Sequence, residues 1–147
     1  MQTTIAHAEA IDVLNRYVTF LDERKFDAWL DLFTEDCYYT MILHEDYVKD
    51  NNMVAIGEDR ARLSGRIEVG QNVERWRTTH LLTAVMTEPS DTGVRLSANF
   101  AVIRKSAITV WGRYTIELVA VGSELKIRTA TAILNNEILT DIQYLPV

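Results

Sequence analysis

Cysteine is nearly absent. Cys37 is the single one in 147 residues, so the chain cannot close an internal disulfide, and it cannot alone supply the two Cys and two His of a Rieske-type iron–sulfur cluster. Histidine is scarce as well. His7, His44 and His80 stand at no helical ligand spacing to one another, so the local sequence offers no two-His, one-carboxylate site for mononuclear iron. No apolar run approaches the ~20 residues that cross a bilayer, and no basic-then-apolar leader opens the chain; a cytoplasmic protein with no membrane partner is expected. Positive charge is in deficit: 15 Lys and Arg face 21 Asp and Glu, a formal net charge of −6. Nucleic acid and anionic membranes attract basic surfaces, and both are therefore poor partners. Phosphate loops, dinucleotide fingerprints and nucleophile elbows are missing, because Gly57, Gly65 and Gly70 lack the spacing and the preceding strand. Cys37 beside a distant His80 forms no local thiol-hydrolase signature, and its aromatic surroundings read as those of a small buried hydrophobe.

What is present suits one compact domain over residues 1–147, since 48% of the residues are hydrophobic and no Pro/Gly/Ser-rich linker divides them. From His7 to Arg24 the residues Ile11, Leu14, Val18 and Leu21 recur at steps of three and four, with Tyr17 and Phe20 widening the stripe, which predicts an amphipathic helix. A second helix is predicted from Phe26 through Phe33 on the stripe Phe26, Trp29, Leu30 and Phe33, with Asp27 placed to satisfy first-turn N–H groups, running into a strand at Cys37–Ile42. His44–Asn52 has no period and reads as a loop; Gly57–Val69 reads as a third helix with Leu63 and Ile67 inward and Gly70 ending it in a left-handed conformation.

After Thr78 the period changes to alternation, predicting strands at His80–Glu88, Val94–Lys105, Ala107–Val121 and Glu124–Asn135, with turns at Pro89–Gly93, Ser106 and Gly122-Ser123. A two-residue turn at Gly122-Ser123 pairs Val121 with Glu124, Leu118 with Ile127 and Glu117 with Arg128. One face would then carry Tyr114, Ile116, Leu118, Leu125, Ile127 and Thr129, the other Trp111, Arg113, Glu117, Val119, Arg128 and Leu134. Apolar groups on both faces imply two covers, the helices on one side and another chain on the other.

One constellation is suited to chemistry: Asp22, His80 and the tyrosines Tyr17, Tyr39 and Tyr114. At the mouth of an apolar pocket, desolvation would tune such a carboxylate or imidazole for acid–base work. The structural alternative has Asp22 holding the helix corner through Arg24, Lys25 or backbone N–H groups, and His80 hydrogen-bonded in the core. Arg75, Trp76 and Arg77 combine planar cations with an aromatic, which suits an anion or, more often, an acidic neighbouring subunit; Trp111, Arg113 and Arg128 are further contact candidates.

Taken in order, Leu21-Asp22-Glu23-Arg24, Phe26-Asp27-Ala28-Trp29-Leu30-Asp31-Leu32-Phe33, Trp76-Arg77-Thr78-Thr79-His80-Leu81, Asn99-Phe100-Ala101-Val102 and the Lys126–Leu134 strand resemble the landmarks of the small (β) subunit of bacterial aromatic-ring-hydroxylating dioxygenases. Thr79 and Leu125 stand where that family usually has Arg and Trp. The resemblance implies the cone-shaped α+β fold of the nuclear transport factor 2-like (SnoaL-like) superfamily, with three N-terminal helices on a strongly curved, mostly antiparallel sheet. It also implies a non-catalytic chain without cofactors. Its partners would be other copies of itself as a trimer and a large (α) subunit carrying the Rieske cluster and mononuclear iron. That α3β3 oxygenase would draw electrons through a reductase and ferredoxin and serve aromatic hydrocarbon catabolism. A stand-alone isomerase, dehydratase or cyclase using an Asp22/His80 pocket is the other possibility.

Overall fold

The computed structural model describes residues 3–50, 53–139 and 145–147. Helix α1 (Thr3–Asp22) buries Ala10, Val13, Leu14, Tyr17, Val18 and Leu21 along one stripe, as the three- and four-residue spacing requires. It ends two residues before the predicted Arg24. Arg24 turns left-handed at φ 59, its N–H donating to Leu21 O at 3.1 Å and that of Lys25 to Phe20 O at 2.8 Å, the paired bonds of a helix closed around a left-handed residue. Arginine carries a steric cost there that glycine would not. Its guanidinium uses the position by donating to Gln71 O at 2.9 Å and Trp76 O at 3.5 Å.

Helix α2 (Phe26–Leu30) is followed by strand β1 (Phe33–Leu43), the short helix α3 (His44–Val48), strand β2 (Ile56–Asp59) and helix α4 (Arg60–Val73). Strands β3 (Thr78–Ser90), β4 (Gly93–Arg104), β5 (Ala107–Val121) and β6 (Glu124–Leu134) complete the element order. They join β1 and β2 in one sheet of order β2-β1-β6-β5-β4-β3, in which, among the described residues, only the β1–β6 pair is parallel. This is the α+β arrangement expected from the sequence, with helices over one face of a mostly antiparallel sheet.

Four expectations need correction. Phe33 belongs to β1 and not to a helix, because Ile127 N–H captures Leu32 O at 2.8 Å and Phe33 pairs with Ile127; a four-residue offset from Trp29 could not reveal that competition. Asp27 lies in the first turn of α2 as expected, after the N-cap Lys25, which makes no side-chain cap bond. His44–Val48 is helical although none of its residues is buried, so no apolar stripe existed to signal it; Asn51 and Asn52 lie outside the described residues. Gly57–Asp59 is strand, and α4 starts after Asp59, whose carboxylate accepts the Arg62 N–H at 2.9 Å in a side-chain N-cap. Leu63 and Ile67 are buried as expected, but Gly70 sits buried inside α4 and does not end it.

The four strand predictions after Thr78 hold to within two residues. The β5–β6 register follows Val121↔Glu124 and Leu118↔Ile127, then slips: Glu117 pairs with Thr129, not Arg128. The extra residue reverses the facing of everything beyond it. Thr129, expected on the same face as Leu125 and Ile127, is exposed, while Leu134, expected on the opposite face, is buried with Ala130 and Ala132. A second irregularity between Thr83 and Met86 centres on Ala84, left-handed at φ 50. Each bulge adds twist to a long strand, and the sheet wraps the helices to enclose an aromatic core. Trp29 lies 5.3 Å from Tyr17 and 4.6 Å from Phe33 between ring centroids, and Phe100 stacks on Tyr114 at 4.1 Å.

Candidate functional site

Asp22 is placed by the last turn of α1. Val18 stands four residues earlier and is buried, so Asp22 continues the inward stripe to the point where α1 meets β3. A carboxylate at a helix C-terminus is opposed by the helix dipole, and here it is satisfied from the strand instead. Thr78 Oγ1 donates to Asp22 Oδ1 at 2.8 Å, His80 N–H to Oδ2 at 2.9 Å, and the His80 ring Nδ1 lies 2.5 Å from Oδ1. The His80 side chain is only 2% exposed. Burial alone would push the Asp22 carboxyl up, but the His80 ring, its main-chain N–H, its charge and Thr78 outweigh that and hold it below the usual carboxylate range.

Asp22 therefore fastens the end of α1 to the start of β3 through three contacts. Its expected partners Arg24 and Lys25 are occupied elsewhere, Arg24 on Gln71 and Trp76 and Lys25 on Glu23. Because the folded-state pKa lies below the unfolded one, stability from this group is complete above the ordinary Asp value of about 4 and is lost as pH falls through the lower, folded value. Asp22→Asn is expected to cost about 2 kcal/mol at neutral pH through weakened charged hydrogen bonds. Urea midpoints measured from pH 7 downward should fall less steeply below about pH 4 in the variant than in the wild type.

The three tyrosines are core residues, each 0% exposed, and not the rim of an open mouth. Tyr17 OH donates to Val147 O at 2.6 Å, Tyr39 OH to the same oxygen at 3.1 Å, and Val147 N–H donates to Tyr39 OH at 3.0 Å. Burial first, then the neighbouring phenols, raise the Tyr17 hydroxyl well above its ordinary value; burial raises Tyr39 to about 12 and also lifts Tyr114. All three are neutral donors at physiological pH. Tyr114 OH has no partner among the described residues, nor does His80 Nε2.

The segment Leu145–Val147 thus fills the cone, with Leu145 8% and Val147 3% exposed. The space left beside it is about 30 Å³, bounded by Leu21, His80, Val102, Arg104 and the segment itself. That admits about one water molecule, against the ~300–1,000 Å³ of small-molecule pockets. Asp22 and His80 meet, as an acid–base pair would, but among the described residues no substrate-sized space adjoins them.

A buried ion pair that the sequence did not single out closes the same end. Arg104 Nη1 donates to Glu74 Oε2 at 3.4 Å with the side chains 6% and 5% exposed, and Glu74 Oε1 accepts the Leu145 N–H at 3.4 Å. The only sequence signal was an acid beside Arg75-Trp76-Arg77. Trp76 is half-buried and lies under cations of its own chain, Lys105 Nζ 3.7 Å and the Arg104 guanidinium 5.2 Å from its ring centroid. Arg75 and Arg77 are exposed. On the opposite face of the sheet Trp111 is 43% exposed, Arg113 donates to Asn99 Oδ1 and Ser97 Oγ, each at 2.8 Å, and Arg128 lies 3.5 Å from Asp36. Cys37 is 2% exposed; burial raises its thiol, partly countered by Arg60. Among the described residues no three His, Cys, Asp or Glu converge as a metal site.

Comparison with known proteins follows the same lines. The sequence model of a family described as ring hydroxylating beta subunit matches residues 16–141. No curated protein matches in sequence. Among solved structures, the beta subunit of a proposed aromatic-ring-hydroxylating dioxygenase from Novosphingobium aromaticivorans superposes with a TM-score of 0.84 at 20% identity, over 97% of this chain and 98% of that one. The beta subunit of benzoate 1,2-dioxygenase from Burkholderia mallei gives 0.74 at 23% identity, over 94% and 96%. A proposed scytalone dehydratase from N. aromaticivorans gives 0.73 at 16% identity, over 97% and 92%. At these identities the structures establish the fold that the chain shares, the nuclear transport factor 2-like cone.

Proposed function

We propose, from the premise that this chain belongs to the family of ring hydroxylating beta subunits, that it is a non-catalytic brace for the large (α) subunit of a Rieske non-haem iron oxygenase. The observation that carries this reading is the filled cone: the residues suited to acid–base chemistry are tied to one another and to Leu145–Val147, with about 30 Å³ beside them. The donor set fits neither iron centre: Cys37 is the only cysteine and is buried in β1, and among the described residues no three His, Cys, Asp or Glu converge. Both centres, and the electrons supplied through ferredoxin and reductase, are therefore assigned to the large subunit, in an α3β3 cytoplasmic assembly acting on an aromatic ring. Among the described residues no helix is long and apolar enough to cross a membrane.

The face of the sheet turned away from α1 supports the partner assignment. Leu81, Ile108 and Trp111 are 48%, 57% and 43% exposed and border one open hollow with Ala101 and Gly112. Exposed apolar groups gathered in one place mark contact surfaces, and aromatic residues are enriched at their centres. Co-expression with a Rieske-type large subunit is expected to give one species containing both chains on size-exclusion chromatography. Separate elution of the two chains at micromolar concentration would contradict the assignment.

A further inference from the structure

We infer that copies of this chain meet head to tail, the basic knob around Trp76 of one copy seating in an acidic groove beside α1 of the next. The knob is built from two segments. Arg75, Trp76 and Arg77 follow α4, and Lys105 begins the turn from β4 to β5 with its Nζ 3.7 Å from the Trp76 ring centroid. Arg24 reaches the same place, donating to Trp76 O at 3.5 Å. Arg75, Arg77 and Lys105 are exposed and have no ion pair among the described residues. In a chain of net charge −6, these unneutralised cations reverse the local sign. The turn is costly as well: Lys105 and Ser106 are left-handed at φ 53 and 67, where a two-residue hairpin favours Asn-Gly. Lysine brings nothing to such a turn, but over Trp76 its ammonium adds a cation to the knob.

The groove has the complementary chemistry. It is open, about 690 Å³ in volume, and runs between α1, α2 and the start of β6, with Phe20 and Leu32 among its apolar residues and Glu9, Asp12, Asp31 and Glu124 as its acids. Its two cations are engaged, Arg16 with Asp12 at 2.9 Å and Lys126 with Asp31 O at 3.0 Å. Glu9 and Glu124 have no ion pair among the described residues. An aromatic ringed by cations thus faces apolar side chains accompanied by carboxylates. Tryptophan and arginine contribute most at the centres of contacts, and the arginine fork matches a carboxylate. Lys105 precedes β5 and Glu124 follows it, so the two patches of one copy lie a 15-residue strand apart, roughly 40 Å, and cannot satisfy each other. A knob and a socket on different parts of one chain make a heterologous contact, which closes into a ring or continues as a filament. Neither patch includes Leu81, Ile108 or Trp111, so the face assigned to the large subunit stays open.

The test uses the isolated chain, without a large subunit, so its failure leaves the partner assignment standing. Sedimentation velocity at micromolar concentration and low salt, where surface charge is least screened, is expected to show association that weakens as salt is raised. Arg75→Glu/Arg77→Glu reverses the knob, and Glu9→Lys/Glu124→Lys reverses the socket. With folds verified by circular dichroism, each double variant is expected to associate at least about tenfold more weakly. Mixed in equal amounts, the two should pair one to one and go no further, because the intact groove of the first meets the intact knob of the second. A wild-type chain that stays monomeric overturns the inference, as do folded variants that associate as the wild type does. If a variant does not fold, the wild type decides through carbodiimide coupling in a mixture of unlabelled and nitrogen-15 chains. Cross-links joining Lys105 of one copy to Glu9, Asp12 or Glu124 of another support the contact, and their absence from the assembled fraction overturns it.

Discussion

Glu74→Ala is expected to lower stability by about 3–5 kcal/mol, the effect of stripping one partner from a buried ion pair. Glu74 follows α4 as its C-cap with extended backbone, which turns the side chain inward to Arg104 at the end of β4 and to the Leu145 N–H. Removing the carboxylate leaves the guanidinium in a dry interior and the Leu145 N–H without that acceptor. The cost comes from taking one partner from a buried charge, so replacing both residues by methionine should recover much of it. Urea denaturation of Glu74→Ala, Arg104→Met and the paired Glu74→Met/Arg104→Met variant separates the cases. A loss below about 1 kcal/mol for Glu74→Ala would place the pair among surface bridges and remove its role in closing the cone.

Gly112→Ala comes next in size. A Cβ at Gly112 would lie 1.8 Å from Ile133 O, 2.8 Å from Ile133 C and 3.0 Å from Leu134 Cα, all backbone atoms of the neighbouring strand. A flexible side chain could yield; β6, paired on both edges with β5 and β1, has nowhere to move. Overpacking of this kind is expected to cost ~3 kcal/mol or more, or roughly 10 °C in melting temperature for a chain of this length. Gly65→Ala is the control, since a Cβ there meets nothing within 4 Å and should raise stability by up to ~1 kcal/mol through helix propensity. Equal melting temperatures for the two variants would show that β5 and β6 do not approach so closely.

These two sites show what the sequence could and could not say. The hairpin was legible as far as Leu118↔Ile127 because Gly122, at φ 61, fixes the turn and alternation carries the register outward. Beyond that the bulge at Arg128 reversed the facing, and its only trace is two adjacent polar residues, Arg128-Thr129, in an alternating strand. Phe33 satisfies a helical stripe and a strand equally well, so pairing with β6 decides, and pairing is non-local. Asp22 and His80 were identifiable from the landmarks around them, but not the segment that separates them from any substrate. Leu145-Pro146-Val147 has no period, and its importance comes from Tyr17 and Tyr39, more than a hundred residues earlier.

Under the proposed function, Asp22 and His80 act as a fastening between α1 and β3 and not as reacting groups. The direct measurement is the turnover of an aromatic substrate per assembled complex, in the oxygenase reconstituted with wild-type and with Asp22→Asn subunit. A structural role gives fewer or less stable complexes, each turning over within about twofold of wild type. General acid–base catalysis contributes about 10²–10⁴-fold, so a loss on the order of 100-fold in fully assembled Asp22→Asn complex would contradict the account.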